Sequence, residues 1–98
     1  MNAFMITASV KQDSVSQTEE AVNKLFTAIK AAAVAGVSYT VSKAVDSPTF
    51  TIFLIFDGEQ NPLADLPEFG EFQASLRNFI AEPPKQQLMQ IVGTYSAL

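Results

Sequence analysis

Two phenols and one guanidinium are the side chains of this 98-residue sequence that are best suited to chemistry on a bound molecule. Tyr39 and Tyr95 are the only tyrosines, and either hydroxyl can donate a hydrogen bond to a carbonyl or phenolate oxygen. Arg77, beside Asn78 on a predicted helix, can orient an anionic substrate. Tyr39, Tyr95 and Arg77 are therefore candidate catalytic residues, and Asn78 is a candidate ligand contact. A simpler interpretation stays open, since strand tyrosines usually bury their rings and helical arginines are usually solvated.

The sequence has no histidine and no cysteine, which excludes many mechanisms. It offers no imidazole base or metal ligand, no thiolate and no disulfide. Acidic residues are frequent between Asp57 and Glu71, but Asp65 and Glu68 are accounted for as helix-start residues, and the spacing of a calcium loop is missing. We therefore expect no metal site and no cofactor, so that any reaction depends on positioning and hydrogen bonding.

Length and charge limit the organisation of the chain and its partners. Ninety-eight residues suffice for one core, which predicts a single domain over residues 1–98. The net charge is −4 and the six lysines and arginines form no run, so nucleic acid is not an expected partner. The apolar runs are too short to span a bilayer, and no signal-like segment opens the sequence. We expect a cytoplasmic protein that does not contact membranes.

The segment Thr49–Phe56 (TFTIFLIF) is the most apolar stretch and predicts a central β-strand. Alternation places Phe50, Ile52, Leu54 and Phe56 on one face. The other face carries three further candidate ligand contacts, which are Thr51, Phe53 and Ile55. Helices of so small a chain can cover only one side of the sheet. The second apolar face therefore predicts a homodimer formed through the open sheet face, a small hydrophobic or aromatic ligand, or both.

Before this strand, residues 3–12 alternate as a first strand, and a helix is predicted to begin at Ser16 with Glu19 completing a capping box. That helix should end near Val34, with Gly36 as a left-handed cap. Residues 37–45 then form a second strand. A four-residue loop over 46–49 would return the chain to the central strand and set Val45, Val41 and Tyr39 beside Phe50, Leu54 and Phe56.

After the central strand, Asp65 followed by Leu66, Pro67 and Glu68 predicts the start of a second helix, and Pro83 with Pro84 predicts its end. Residues 86–95 alternate as a final strand. The order is β-α-β-β-α-β, which predicts a ferredoxin-like α+β fold. Its sheet has four antiparallel strands with both helices on one face, and its first and third strands are central.

Three segments carry a family resemblance: residues 36–41 (GVSYTV), residues 61–73 with Asn-Pro-Leu and Leu-Pro-Glu-Phe, and residues 82–84 (EPP) followed by 92–95 (VGTY). With these segments the chain resembles the dimeric α+β barrel superfamily, specifically small proteins of the antibiotic biosynthesis monooxygenase type. The resemblance implies that two sheets pair face to face into a barrel. It also implies a small aromatic substrate between sheet and helices, or haem in the haem-degrading branch. The absence of histidine and tryptophan argues against the haem-degrading role.

Two function classes follow. One is a cofactor-independent monooxygenase acting on a small aromatic or polyketide-like compound in a dry cavity. The other is a non-catalytic homodimeric module that binds a small hydrophobic metabolite or serves a structural role. An enclosed cavity lined by Tyr39 or Arg77 would favour the enzyme, and a filled interior would favour the module.

Overall fold

The four strands of the protein form one antiparallel sheet in the order β2-β3-β1-β4 in a computed structural model that describes residues 1–98. Central positions fall to the first and third strands, as predicted. Two α-helices accompany the sheet and give the ferredoxin-like α+β fold. The elements are β1 (Asn2–Ser9), α1 (Val15–Ala32), β2 (Val37–Lys43), β3 (Thr49–Phe56), α2 (Pro67–Phe79) and β4 (Lys85–Met89), with 3-10 turns at Gln12–Ser14 and Pro62–Asp65.

Alternation along β3 sets the two sides of the sheet. Phe50, Ile52, Leu54 and Phe56 are buried, whereas Phe53 between them is 43% exposed. Paired residues of antiparallel strands share a side. Phe4 and Ile6 of β1 face Leu54 and Ile52 of β3, and so lie on the helix-covered side. The side that carries Phe53 is open.

The core lies between the helix-covered side of the sheet and residues from the rest of the chain. Leu25 of α1 and Leu63 of the second 3-10 turn are almost completely buried, at 1% and 0% exposure. They join Phe69 and Phe72 of α2 in one cluster with Leu54 and Phe56. Neither helix has the length and apolar character that crossing a bilayer requires.

Helix α1 begins at Val15, and not after Ser16 as predicted. The 3-10 turn continues directly into the helix, so Ser16 already lies inside it and cannot cap it. Thr18 donates a hydrogen bond to the Ser14 carbonyl, with 2.8 Å between the oxygens. The helix ends one to two residues early, because Ala33 adopts the left-handed conformation at φ 50°. Gly36 is also left-handed but lies beyond the cap.

The hairpin of β2 and β3 differs from its predicted register by two residues. Lys43 pairs with Phe50, and Tyr39 pairs with Leu54 instead of Phe56. The connection is longer than four residues, and Val45 lies in it, 99% exposed. A shift by two residues preserves the side on which each residue lies. The predicted faces are therefore correct although the predicted partners are wrong.

Three predicted ends also need correction. The first strand stops at Ser9, because Val10 bridges Ile80 and a 3-10 turn follows. Helix α2 is preceded by Leu66 rather than capped by Asp65, and it ends at Phe79, before the prolines, because Ile80 is extended at that bridge. The final strand ends at Met89 and not at residue 95. Met89 pairs with Ala3, so almost no β1 remains to accept further pairing.

Candidate functional site

A cavity of about 570 Å³ lies between the helix-covered side of the sheet and α2. This volume falls within the range of about 300–1,000 Å³ that small-molecule sites occupy. Its wall is mostly aromatic and aliphatic, with polar groups at a few positions. The lining residues are Phe4, Ile6, Tyr39, Ile52, Leu54, Phe56, Asn61, Phe69, Phe72, Gln73, Leu76, Arg77, Ile80, Pro84 and Gln86.

Tyr39 is held in the cavity wall by aromatic neighbours on two sides. Its ring centroid lies 5.6 Å from that of Phe26 and 6.0 Å from that of Phe69, the second contact being edge-on. No hydrogen bond of the protein involves its hydroxyl. Every fully buried side-chain polar atom has a partner, so the unpaired Tyr39 hydroxyl must still be accessible. The ring is fixed and the hydroxyl is available to a ligand.

Burial raises the pKa of Tyr39 to about 12, because the low-dielectric surroundings disfavour the charged phenolate. At neutral pH the side chain is therefore a neutral hydrogen-bond donor. It is poorly suited to accept a proton as phenolate. This limits its chemical role to binding and polarising an oxygen atom of a ligand.

Arg77 is the only charged residue of the cavity lining. It is exposed, in the last turn of α2, and it takes part in neither of the two ion pairs, which join the N-terminus to Asp57 and Lys24 to Glu71. No carboxylate lines the cavity. The wall thus presents one unpaired cation to a bound molecule.

Asn61 has one of its two polar atoms already occupied. The Leu63 backbone N–H donates to its side-chain Oδ1, with 3.0 Å between the atoms, which fixes the 3-10 turn that leads to α2. This bond assigns the carbonyl oxygen to the turn and leaves the amide NH₂ as a donor. Asn61 therefore stabilises the turn through its carbonyl oxygen and offers a hydrogen-bond donor to the cavity through its NH₂ group.

No group of three or more aspartates, glutamates, histidines or cysteines comes together in the structure in a way that could hold a metal ion. The acids between Asp57 and Glu71 do not converge. The residues that line the cavity are also not typical ligands of a transition metal. The arrangement can bind an apolar body, donate hydrogen bonds to it and place a positive charge beside it.

The structure brings two of the predicted catalytic residues, Tyr39 and Arg77, into the same cavity lining. Tyr95 lies elsewhere, 89% exposed in the segment after β4, which has no regular secondary structure. Asn78 follows Arg77 on α2 but is exposed and outside the lining. Its backbone carbonyl accepts a hydrogen bond from the Lys11 side chain.

The other predicted ligand contacts lie on the open side of the sheet. Thr51, Phe53 and Ile55 alternate with the buried residues of β3 and are separated from the cavity by the sheet itself. Met5, opposite Phe53 on β1, shares this open side. These residues therefore do not line the cavity.

Three polar lining residues were not singled out as site residues from the sequence: Asn61, Gln73 and Gln86. A usable signal existed for Gln86. It pairs with Ile6 and so shares the helix-covered side, where a polar strand residue stands out among apolar ones. Gln73 and Asn61 belong to a helix surface and a polar loop, where glutamine and asparagine are ordinary. Only the packing of α2 shows that they line a cavity.

The same fold occurs in solved structures of other proteins. A protein of Nitrosomonas europaea, provisionally described as an antibiotic biosynthesis monooxygenase, is 18% identical and has a TM-score of 0.79, over 95% of this chain and 100% of that chain. A Mycobacterium tuberculosis protein is 15% identical, with a TM-score of 0.75 over 97% and 98%. A Caulobacter crescentus protein with the same provisional description is 14% identical, with a TM-score of 0.76 over 94% and 90%.

These likenesses establish that the chain has the fold of antibiotic biosynthesis monooxygenase-like proteins, as the sequence resemblance implies. At such identities they concern the fold alone. No protein-family model matches the sequence, and no curated protein matches it.

Proposed function

We propose that this protein is a single-domain, homodimeric, cofactor-independent monooxygenase that oxidises a small aromatic or polyketide-like compound. The observation that carries the proposal is the cavity of about 570 Å³ with both Tyr39 and Arg77 in its wall. Solved structures with this fold include proteins provisionally described as antibiotic biosynthesis monooxygenases, which adds an analogy of fold.

In the proposed reaction, an electron-rich phenol or enol loses a proton to solvent water, and the resulting carbanion attacks molecular oxygen and takes up a proton to form a carbon hydroperoxide. The carbon hydroperoxide that forms loses water and leaves a carbonyl group, so one oxygen atom enters the product and the other leaves as water. The neutral Tyr39 hydroxyl donates a hydrogen bond to the substrate oxygen that carries the developing negative charge. Arg77, in the same wall, orients an anionic substrate through its positive charge.

Ten of the fifteen lining residues are hydrophobic, so the part of a substrate that contacts them is shielded from water. A dry environment strengthens the hydrogen bond from Tyr39 and shields a reactive intermediate from side reactions. The protein thus contributes orientation and electrostatics, and the substrate contributes its own reactivity.

A second candidate is a non-catalytic module that binds a small hydrophobic metabolite. The composition of the cavity supports it, because no carboxylate or histidine is present in the wall to remove a proton. The oxygenase proposal requires a substrate acidic enough to ionise with only hydrogen bonds and a nearby cation to help. The two candidates therefore differ in turnover and agree on binding.

The homodimer is proposed to form through the open side of the sheet. Phe53, in the middle of β3, is 43% exposed, and Met89, at the end of β4, is 39% exposed. Large apolar side chains grouped on an exposed surface often mark an interaction site. A two-fold contact would bury this patch on both copies at once. A cytoplasmic location stays a prediction.

The decisive experiment is oxygen uptake by the purified protein with a panel of anthrone-like and quinol compounds. We expect turnover above buffer for at least one compound, and a rate reduced about 10²-fold in Tyr39→Phe, since a lost oxyanion donor costs on that order. Binding without oxygen uptake for every compound would leave the module as the better account. Unchanged turnover in Tyr39→Phe would remove Tyr39 from the mechanism.

A further inference from the structure

The cavity wall carries a positive charge, whereas the whole chain is negatively charged. The chain carries a net charge of −4. Yet the only charged lining residue is Arg77, and no carboxylate approaches it within ion-pair distance. The acidic residues of the chain thus lie outside the cavity lining, and the lining contains one unpaired cation. Such a wall is suited to bind an anion.

The neutral polar groups of the wall have the same bias. The Tyr39 hydroxyl is unpaired and is protonated at neutral pH. Asn61 uses its carbonyl oxygen on the Leu63 N–H and keeps its NH₂ free. Gln73 and Gln86 carry one donor and one acceptor group each. Donors therefore exceed acceptors around the cavity.

From these contacts we propose that the ligand of the cavity is an aromatic monoacid, with its ring among the phenylalanines and its carboxylate at Arg77. This proposal rests on the proposed function, because it concerns the same cavity, and it narrows the substrate class from aromatic compounds to anionic ones. An apolar wall interrupted by a single cation at the end of α2 holds such a molecule in one orientation. The acidic group lies at the exposed end and the reacting ring lies inside.

Arg77 also has a structural role that does not involve a ligand. It lies in the last turn of α2, where a cation interacts favourably with the helix dipole. Lys30 occupies the equivalent place in the last turn of α1, is exposed and does not line the cavity. It is therefore a matched control: Lys30→Gln removes the same charge from the same kind of position.

The test compares 2-naphthoate with its neutral isostere 2-naphthamide by fluorescence titration. The chain has no tryptophan, so the naphthalene signal is read with little protein background. The wild type should bind the acid about fivefold more tightly than the amide, which is the upper end of the range for an exposed ion pair. Arg77→Gln should reduce this preference to less than about twofold, Arg77→Lys should retain most of it, and Lys30→Gln should leave it unchanged.

Equal binding of acid and amide by the wild type would overturn the proposal, as would a preference that persists in Arg77→Gln. Absence of binding by both probes would overturn it as well. None of these results depends on turnover. A protein that consumes oxygen with neutral quinols but shows no preference for the acid would retain the proposed function and lose this inference. Selective binding of the acid without oxygen uptake would do the reverse.

Discussion

Tyr39 combines a fixed ring with a free hydroxyl. Phe26 and Phe69 hold the ring from two sides, and no residue of the protein accepts or donates a hydrogen bond at its hydroxyl oxygen. A buried tyrosine normally finds a partner for this group. The Tyr39 hydroxyl has no such partner within the protein and can therefore donate to a ligand. Because the ring is already held in place, the hydroxyl loses little freedom on binding.

The raised pKa of Tyr39 predicts a specific dependence of stability on pH. Between the ordinary pKa of about 10 and the folded-state pKa of about 12, the unfolded chain releases the phenol proton and the folded protein keeps it. The free energy of unfolding therefore falls as pH rises above 10, and the contribution is fully present below that pH. Partial access of solvent to the ring limits the loss to at most about 2 kcal/mol.

Urea unfolding at pH 9 and at pH 11.5 measures this loss, with Tyr39→Phe as the control. Both proteins also respond to deprotonation of their lysines, so the quantity of interest is the difference between them. We expect the wild type to lose more stability than the variant over this interval. Identical losses would mean that the Tyr39 phenol titrates normally in the folded protein.

Residue type alone predicts Tyr39 and Arg77 as candidates, because a chain without histidine or cysteine has few other groups able to act on a ligand. It was not enough to separate Tyr39 from Tyr95, since both occur in alternating segments. The separation comes from pairing. Tyr39 lies on a strand whose partner is β3, whereas Tyr95 lies beyond the last residue that β1 can pair. Long-range pairing of this kind leaves no local sequence signal.

The position of α2 determines the cavity. Its first turns pack against the core through Phe69 and Phe72. The residues at its C-terminal end form backbone hydrogen bonds with residues at and just after the end of β1. The Lys11 N–H donates to the Phe79 carbonyl and the Ala81 N–H donates to the Ser9 carbonyl, both at 2.8 Å. Helix α2 is therefore held at both ends. This keeps it from moving closer to the sheet, and the cavity between them remains.

Leu63 anchors the turn that leads into α2, and its removal should show how much the site depends on that turn. Leu63 is fully buried, so Leu63→Ala should lower the free energy of unfolding by about 2–5 kcal/mol. The matched control is Leu88→Ala, at a leucine that is 73% exposed and should change stability by less than about 0.5 kcal/mol. Denaturant titration of both variants measures the difference. Similar effects at the two positions would contradict the described core.

The elements themselves were predictable because alternation and helical periodicity are local properties. Every predicted strand and helix exists, and the faces of β3 are as expected. The predictions that are wrong concern the pairing of residues between β2 and β3 and the ends of several strands and helices. The register of the hairpin depended on the length of its loop, for which Val45 was wrongly assigned to a strand. The end of β4 depended on where β1 begins, which no pattern within residues 86–95 reveals.

The segment after β4 continues to alternate although nothing in the chain pairs with it. Ile91, Val92 and Tyr95 are exposed there by 42%, 95% and 89%. If the proposed dimer uses this segment, deletion of residues 91–98 should weaken dimerisation at least about tenfold and leave the circular dichroism spectrum nearly unchanged. Analytical ultracentrifugation gives the dissociation constant. A truncated protein that dimerises like the full chain would exclude the segment from the interface.

At the scale of the whole molecule, apolar surface accumulates on the open side of the sheet and along the segment after β4. The open side holds Phe53 and Ile55 of β3 opposite Met5 and Ala3 of β1. Its edge on β2 is polar, with Ser38, Thr40 and Ser42. An apolar centre with a polar margin is the usual composition of a protein interface.

Phe53 lies near the centre of this surface and provides the sharpest test of the proposed dimer. Phe53→Lys removes the apolar area that the contact would bury on each copy, worth less than the roughly 1.5–3 kcal/mol of complete burial because Phe53 is only 43% exposed. It also introduces a charge into the contact, so the variant should be monomeric at micromolar concentration. Val45→Lys makes a similar change at a residue that is 99% exposed in a loop, and it should remain dimeric. Light scattering on dilute samples distinguishes the two. A stable, folded wild-type monomer would contradict the dimer.

Blocking the cavity under α2 tests whether a small aromatic compound is oxidised there, as proposed. Leu76→Trp replaces an aliphatic side chain of the lining with a bulky indole ring, and Val45→Trp makes the matched change in an exposed loop. With a compound that the wild type oxidises, oxygen uptake should fall at least about tenfold in Leu76→Trp and stay at the wild-type rate in Val45→Trp, both proteins being folded by circular dichroism. Full oxygen uptake in Leu76→Trp would show that the oxidation does not take place in this cavity.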